Sequence, residues 1–237
     1  MPVGYAHRGF SLDGAENSLA AFRAAVELGF THLETDARVT QDGVAVAFHD
    51  QVLDLVTNST GALHRLPWST VRQARIMGRE PIPRLDELLD EFRDCHVNID
   101  VKSNAAIGPT LDVIRRTNAG PRVRLAAFSD RRLKALRQAA GPAVATALGP
   151  SEVLALVLRR RLTGPTAAQV PTGWSRFALV NRGFVEHAHA QGIEVHVWTI
   201  NERSEMQRLF DLGVDAIMSD RADVLRDVLI ERGAWPQ

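Results

Sequence analysis

Eight segments of β-type sequence alternate with helical segments along almost the whole chain, and this alternation restricts the fold more than any other feature. Strands are expected to begin near residues 3, 32, 97, 123, 143, 167, 194 and 215. From residue 97 onward, each strand segment is followed by apolar residues at the spacing of an amphipathic helix. In a chain of 237 residues this repeat predicts one domain, a (β/α)8 barrel over residues 1–237. A doubly wound open sheet is the alternative, weakened because no GxGxxG turn follows the first strand.

One further β-type segment does not fit the parallel repeat. Residues 32–39 lead into the turn sequence Gln41-Asp42-Gly43, and the apolar residues 44–48 follow at once. A connection this short requires antiparallel strands, because a parallel return needs a dozen or more residues. We therefore expect a hairpin that brings His49 close to Asp36. A half-buried hairpin with a solvated polar face is the alternative reading.

Ionisable side chains concentrate where the barrel would place the C-terminal ends of its strands, which is where such barrels carry their active sites. Strand alternation puts Glu34 and Asp36 on one face, and Asp100 and Lys102 on one face of a later strand. Three converging carboxylates repel one another unless a cation or a proton lies between them. Their hard oxygen ligands suit Mg²⁺ or Ca²⁺ better than zinc. The alternative is a structural network in which Lys102 and Arg8 neutralise the acids.

Two histidines and two cations complete this set. His7 and His49 have an ordinary pKa near neutrality, so they could act as general acid and base. Arg8 and Lys102 supply positive charge suited to phosphate oxygens. This combination favours phosphoryl chemistry over glycosidic chemistry, which needs little positive charge. Trp198 could form an apolar wall for the alcohol part of a substrate, or could be an ordinary core or rim aromatic.

The overall charge and hydropathy limit the partners. The formal net charge is zero, which gives no support for a nucleic-acid partner or an acidic membrane. No apolar run is long enough to span a bilayer, and the N-terminus lacks an apolar signal core. The sequence therefore predicts a cytoplasmic protein without stable membrane insertion. Cys95 is the single cysteine, so an intramolecular disulfide is excluded. The oligomeric state is not predicted.

Eight short motifs follow one another in the order of the glycerophosphodiester phosphodiesterase family, and the chain resembles that family over nearly its full length. The motifs are HRG at 7–9, EN at 16–17, LETD at 33–36, TQDG at 40–43, HD at 49–50, NIDVK at 98–102, VWTIN at 197–201 and GVDAIMSD at 213–220.

The resemblance implies a (β/α)8 barrel that hydrolyses glycerophosphodiesters to sn-glycerol 3-phosphate and an alcohol. It implies a divalent metal, Mg²⁺ or Ca²⁺ with Mn²⁺ as a further option, and a small insertion over residues 51–94. Glu34, Asp36 and Asp100 match the family's metal ligands, His7 and His49 its acid/base pair, Arg8 and Lys102 its phosphate contacts, Asn17 a loop residue near the site, and Trp198 an aromatic position.

Two residues depart from the family's pattern. Asp100 stands where many members have Glu, and its shorter side chain could alter the metal distance and preference. Ser18 stands where Thr is common, which we expect to be a mild change.

The expected reaction begins with attack of the glycerol 2-hydroxyl on phosphorus, one histidine acting as base while the other protonates the departing alkoxide. Water then opens the resulting cyclic phosphate, and direct attack by water is the main variant. Two other functions compete with this expectation. One is a lysophospholipase D or cyclising phospholipase of the same barrel superfamily, and the other is a non-catalytic phosphodiester-binding barrel.

Overall fold

The computed structural model describes residues 1–174 and 177–235, and it places eight parallel strands in one barrel surrounded by helices. The described strands are β1 (Val3–His7), β2 (His32–Val39), β3 (Ala45–Ala47), β4 (Arg75–Ile76), β5 (Glu80–Pro81), β6 (His96–Val101), β7 (Val123–Ala126), β8 (Ala145–Thr146), β9 (Ala167–Val170), β10 (Gly173–Trp174), β11 (Phe177–Ala178), β12 (Glu194–Val197) and β13 (Ala216–Ser219). The described α-helices are α1 (Leu19–Glu27), α2 (Trp68–Val71), α3 (Leu85–Glu91), α4 (Ile107–Arg116), α5 (Asp130–Ala140), α6 (Pro150–Val157), α7 (Arg182–His189), α8 (Arg203–Asp211) and α9 (Ala222–Glu231).

The barrel strands are neighbours in chain order. From β1 the sheet runs through β2, β6 and β7 to β8 in one direction, and through β13 and β12 to β9 in the other. A parallel pairing of Ala147 with Ala167 joins the two ends. The eight strands predicted from the sequence are all present, so the (β/α)8 barrel is confirmed. The open doubly wound sheet is wrong, because an open sheet would leave β8 and β9 as unpaired edges.

The predicted hairpin is also present. Strand β3 pairs antiparallel with the end of β2, with Ala37 opposite Ala47. The backbone N–H of Phe48 donates to the carbonyl oxygen of Asp36 at 3.0 Å. The hairpin therefore returns the chain to Asp36 immediately before His49, as the short turn requires.

The helices bury an apolar stripe against the outside of the barrel. In α1 the side chains of Ala21, Phe22 and Ala25 are buried. Ser18 caps this helix, since its hydroxyl accepts a hydrogen bond from the Ala21 N–H at 3.1 Å. The side chain of the neighbouring Asn17 turns into the barrel mouth instead. Among the described residues, no helix is long and apolar enough to cross a membrane.

The chain between β3 and α3 builds a small core of its own. Phe48, Leu53, Leu63 and Ile76 are buried there in a cluster separate from the main one. Helix α3 lies within residues 51–94, yet its buried leucines belong to the main barrel core. The boundaries 51–94 for an insertion therefore stay a prediction, and the structure assigns the separate core to the part that precedes α3.

Candidate active site

A cavity of about 360 Å³ opens at the C-terminal ends of the barrel strands and collects the ionisable side chains singled out in the sequence. It is lined by eight of the nine predicted site residues. The ninth, Asn17, is 1% exposed and lies behind this lining, where its side-chain amide donates to Asp36 Oδ2 at 2.9 Å. The predicted residues in the lining are His7, Arg8, Glu34, Asp36, His49, Asp100, Lys102 and Trp198.

His7 stands at the end of β1 between two carboxylates. Its Nδ1 lies 2.6 Å from Asp220 Oδ1, and its Nε2 lies 3.7 Å from Glu34 Oε2. Burial on its own lowers the pKa of His7, but the charge of Glu34 and the hydrogen bond with Asp220 outweigh burial and raise it. Asp220 is itself held, because the Asn201 amide donates to its Oδ2 at 2.9 Å. His7 therefore has a fixed ring orientation with Nε2 toward the cavity acids.

The turn after β1 places Arg8 and Asn17 through unusual backbone conformations. Arg8 and Asn17 have φ values of 55° and 58°, in the left-handed region that most residues avoid. Backbone hydrogen bonds hold this geometry, since Asn17 N donates to Arg8 O at 2.8 Å and Arg8 N to Glu34 O at 3.0 Å. Arg8 Nη1 also donates to Glu16 Oε1 at 2.8 Å. Such conformations concentrate at functional sites, where surrounding structure maintains them.

Lys102 is the centre of an ion-pair cluster at the barrel mouth. Its Nζ lies 2.8 Å from Asp36 Oδ1 and 2.6 Å from Asp100 Oδ2. Arg8 Nε lies 3.0 Å from the other oxygen of Asp36, without the alignment of a hydrogen bond. Burial on its own raises the pKa of Asp36, but Lys102 and Arg8 outweigh burial and lower it. The neutralising network considered from the sequence is thus present around Asp36 and Asp100.

Glu34 stands apart from the two cationic side chains. It accepts a hydrogen bond from the backbone N–H of Arg8 at 3.3 Å and faces His7. Burial is the main cause that raises the pKa of Glu34, His7 opposes it, and the negative charge of Asp36 adds to it. Glu34 is therefore the acid of the three that most lacks a compensating charge.

The three acids fit a divalent cation by their chemistry. Asp36 and Asp100 are register partners on β2 and β6. Asp100 Oδ1 is buried and has no hydrogen-bond partner among the described residues. Oxygen donors of this kind are those that Mg²⁺ and Ca²⁺ prefer. In residues 1–174 and 177–235 no three His, Cys, Asp or Glu side chains converge as a ready metal site, and Lys102 lies between two of these acids.

His49 reaches the same cavity from the end of the hairpin. Its Nδ1 lies 2.8 Å from Asp50 Oδ1, and the Arg38 guanidinium donates to its carbonyl oxygen at 2.6 Å. The side chain of His49 is 37% exposed, against 15% for His7. Each histidine is thus oriented by its own aspartate through Nδ1, which leaves Nε2 for proton transfer.

The opposite side of the cavity is apolar. Trp198 packs against Phe128 with ring centroids 5.3 Å apart and nearly perpendicular planes. The ammonium of Lys102 lies 5.7 Å from the Phe128 ring centroid. Phe128 is 64% exposed, which is unusual for an aromatic outside a binding surface. Further apolar lining comes from Leu148, Pro150, Val153, Val170, Pro171 and Leu179.

Sequence reasoning did not assign roles to several residues that shape this cavity. Asp220 and Asp50 orient the histidines, Asn201 holds Asp220, and Phe128 packs against Trp198 in the apolar wall. A signal was present, because Phe128 and Asp220 both lie at the C-terminal ends of predicted strands. The partner of each could not be read, since it comes from a distant part of the chain.

Comparisons with known proteins identify the family of this chain. Residues 7–224 match the model of the glycerophosphoryl diester phosphodiesterase family. A probable glycerophosphodiester phosphodiesterase 2 of Mycobacterium tuberculosis is 41% identical over 244 residues, covering 98% of this chain and 92% of that protein.

Solved structures share the fold. A putative glycerophosphoryl diester phosphodiesterase from Silicibacter pomeroyi has a TM-score of 0.85 and 22% identity, covering 100% of this chain and 96% of its own. An Oleispira antarctica phosphodiesterase in complex with the product sn-glycerol-3-phosphate has a TM-score of 0.81 and 22% identity, covering 97% of each chain. The predictions of an enzyme and of its family are confirmed: the chain belongs to the glycerophosphoryl diester phosphodiesterase family.

Proposed function

We propose that this protein hydrolyses glycerophosphodiesters to sn-glycerol 3-phosphate and an alcohol, with His7 and His49 as general acid and base and a divalent metal at the carboxylates. One observation carries the proposal: both histidines line a cavity that also contains three acids, Arg8 and Lys102. The solved relative in complex with sn-glycerol-3-phosphate supports the product. The substrate is a small molecule, and its phosphate is the group that this charge arrangement suits.

Glu34, Asp36 and Asp100 would hold the metal. The unpartnered Oδ1 of Asp100 supports this assignment, as does Glu34, which forms no ion pair with Arg8 or Lys102 in the described part of the chain. A Mg²⁺, Ca²⁺ or Mn²⁺ ion bound there would neutralise the acids and polarise a phosphate oxygen. Arg8 and Lys102 would contact the remaining phosphate oxygens, since both already lie at the carboxylate cluster.

The two histidines would carry the protons. One Nε2 takes the proton of the glycerol 2-hydroxyl as that oxygen forms a bond to phosphorus. The bond from phosphorus to the alcohol oxygen breaks, and the other histidine gives a proton to that oxygen. Water then opens the cyclic phosphate with the proton roles reversed. Direct attack by water is the variant without a cyclic product. Asp220 and Asp50 would keep each Nδ1 protonated and each ring in place.

The test measures glycerol 3-phosphate release from glycerophosphocholine and glycerophosphoethanolamine. Protein stripped of metal is supplied with Mg²⁺, Ca²⁺ or Mn²⁺ in turn. We expect metal-dependent release that falls by about 10²–10⁴-fold in His7→Ala and in His49→Ala. His64→Ala, at an exposed position outside the cavity, is the matched control and should keep full activity. Equal release without metal, or full activity in either site variant, would contradict the proposal.

A second candidate substrate is a lysophospholipid. The apolar wall of Phe128, Trp198, Leu148 and Val153 favours it, because this surface would shield hydrocarbon from water. The same assay with lysophosphatidylcholine distinguishes the two. Faster turnover of the lysolipid than of glycerophosphocholine would make the lysophospholipase reaction the main activity.

A further inference from the structure

An exposed apolar surface lies on the outside of the barrel next to the catalytic cavity. Helix α6 turns Val153 toward that cavity, whereas Leu154, Val157 and the following Leu158 face outward. These three side chains are 51%, 42% and 56% exposed. Isolated exposed apolar residues are ordinary, but three neighbouring ones along one helix and its C-terminal end form an apolar patch of the kind found at interaction sites.

Basic residues surround this patch. Arg159, Arg160 and Arg161 follow Leu158 directly, and Arg182 begins the neighbouring helix α7. All four are exposed, and none forms an ion pair with a carboxylate in the described part of the chain. Two arginines on α8 and α9 behave differently. Arg208 pairs with Glu205 at 2.7 Å, and Arg226 pairs with Asp227 at 2.9 Å.

The local charge is positive although the whole chain is neutral. Residues 151–192 contain five arginines and two glutamates. Of the two, Glu152 is engaged by Arg137 at 2.6 Å, which leaves Glu186. Although the net charge of the protein is zero, the surface formed by residues 151–192 is positively charged and attracts anions. Its mixture of leucines and arginines differs from a nucleic-acid surface, where polar and aromatic contacts accompany the basic groups.

A groove between α6 and α7 deepens this face. It has a volume of about 410 Å³, and Leu154, Val157, Phe184 and Leu179 supply apolar lining. Arg159 stands at its side. Leu179 lines both this groove and the catalytic cavity, so the two are adjacent. This face therefore combines exposed apolar side chains, unpaired guanidinium groups and a groove that could hold an acyl chain. It lies next to the catalytic cavity.

We propose that the face formed by Leu154, Val157, residues 158–161 and Arg182 docks reversibly on an anionic lipid surface. The leucines enter the boundary between headgroups and acyl chains, and the arginines contact the lipid phosphates. Both contributions are needed, because apolar insertion alone or electrostatic attraction alone gives weak membrane binding. This inference goes beyond the proposed reaction, and binding is measured without substrate, so its outcome is independent of whether that reaction is correct.

The experiment is co-sedimentation of the full chain with vesicles of phosphatidylcholine containing about one third phosphatidylglycerol, and with vesicles of phosphatidylcholine alone. We expect binding to the anionic vesicles that weakens steeply with salt, and little binding to the neutral ones. The variant Arg160→Glu/Arg161→Glu should bind at least about 25-fold more weakly, because each basic side chain near such a surface contributes about fivefold. Arg159 is left intact because its guanidinium lies against Gly183.

Matched variants separate docking from general surface effects. Leu154→Ser/Leu158→Ser should also lose binding, while Ile230→Ser, at a similarly exposed position on α9, should not. Arg72→Glu/Arg131→Glu makes the same charge change at two other exposed arginines. If those arginines lie outside the docking face, this variant should bind about 25-fold more tightly than the patch variant. All variants should keep their activity on water-soluble glycerophosphodiesters.

Three results would overturn the proposal. The first is absence of sedimentation with anionic vesicles at low salt. The second is an equal loss in the Arg72→Glu/Arg131→Glu control, which would mean that overall charge and not this face governs binding. The third is self-association of the wild-type chain that Leu154→Ser/Leu158→Ser abolishes, together with unchanged vesicle binding in that variant. The face would then be an interface between copies.

Discussion

His7 and Asp220 are 213 positions apart in the sequence, and their side chains meet with Nδ1 and Oδ1 separated by 2.6 Å. The contact follows from barrel closure. Strands β1 and β13 are the first and last of the barrel and pair in parallel, with Ala6 opposite Ser219. Asp220 directly follows β13, so closure places its carboxylate beside the histidine that ends β1. The orientation of His7, a proposed catalytic residue, thus depends on the pairing of the last barrel strand with the first.

Asp220→Asn is expected to lower kcat by about 10²-fold with little change in KM. The amide keeps the size of the side chain but no longer favours the His7 ring with a proton on Nδ1. Steady-state kinetics with glycerophosphocholine provides the measurement. Asp223→Asn, at a half-buried position on α9 outside the cavity lining, is the control and should leave kcat unchanged. A rise in KM at constant kcat would mean that Asp220 binds substrate and does not position His7.

Phe128→Ala is expected to raise KM by about twofold to tenfold, with kcat nearly unchanged. The reason is loss of an aromatic contact worth about 0.5–1.5 kcal/mol at the alcohol side of the cavity. The increase in KM should grow with the size of the alcohol part of the substrate. The KM of a glycerophosphodiester whose alcohol part is methanol should therefore change little. Leu12→Ala removes a side chain that is 73% exposed outside the cavity lining, and it should change neither constant. An equal effect on both substrates would contradict the assignment of the apolar wall.

Gly9→Ala is expected to lower the free energy of unfolding by about 1–3 kcal/mol or more, since it forces an L side chain into a strained conformation. Gly9 has φ of 85°, and a Cβ there would lie 2.6 Å from the backbone carbon of Ala21. Urea denaturation measures the change. Gly108→Ala is the control, because nothing lies within 4 Å of the added atom inside α4. That substitution should stabilise the protein by about 0.5–1 kcal/mol.

The stability of the barrel is expected to fall in mild acid because of His32 at the N-terminal end of β2. Burial chiefly, together with neighbouring His96 and His196, lowers the pKa of His32 from 6.5 to about 4. Its ring stacks on His96 with centroids 4.8 Å apart. The unfolded chain therefore binds the proton more readily than the folded one. The stability contributed by neutral His32 is complete above pH 6.5 and is lost as the pH falls toward 4.

Urea unfolding between pH 7.5 and 5 tests this prediction. His32→Phe retains an aromatic ring for the stack but removes the titrating group, so the free energy of unfolding should fall less steeply with acid than in the wild type. His64→Asn, at an exposed position, should keep the wild-type slope. An unchanged slope in His32→Phe would assign the acid sensitivity to other groups.

Local sequence patterns predicted the barrel and the ionisable side chains of its cavity. Strand and helix periodicities are local properties of the chain, and they predict all eight barrel strands. The short turn at 41–43 determined the antiparallel hairpin for the same reason. Strand alternation placed Glu34 and Asp36 on the cavity side, and this also holds for Asp100 and Lys102.

The contacts among these groups could not be predicted from local patterns and follow from the folded chain. Lys102 binds Asp36 and Asp100 but not Glu34, and Asn17 caps no helix but binds Asp36. The arginines after Leu158 cluster with exposed leucines, whereas the net charge of the chain indicated no such surface. The contacts of Asp36 with Lys102 and Asn17 depend on barrel closure and on side-chain directions, which join residues far apart in sequence. Local propensity carries no information about them, because it depends on near neighbours alone.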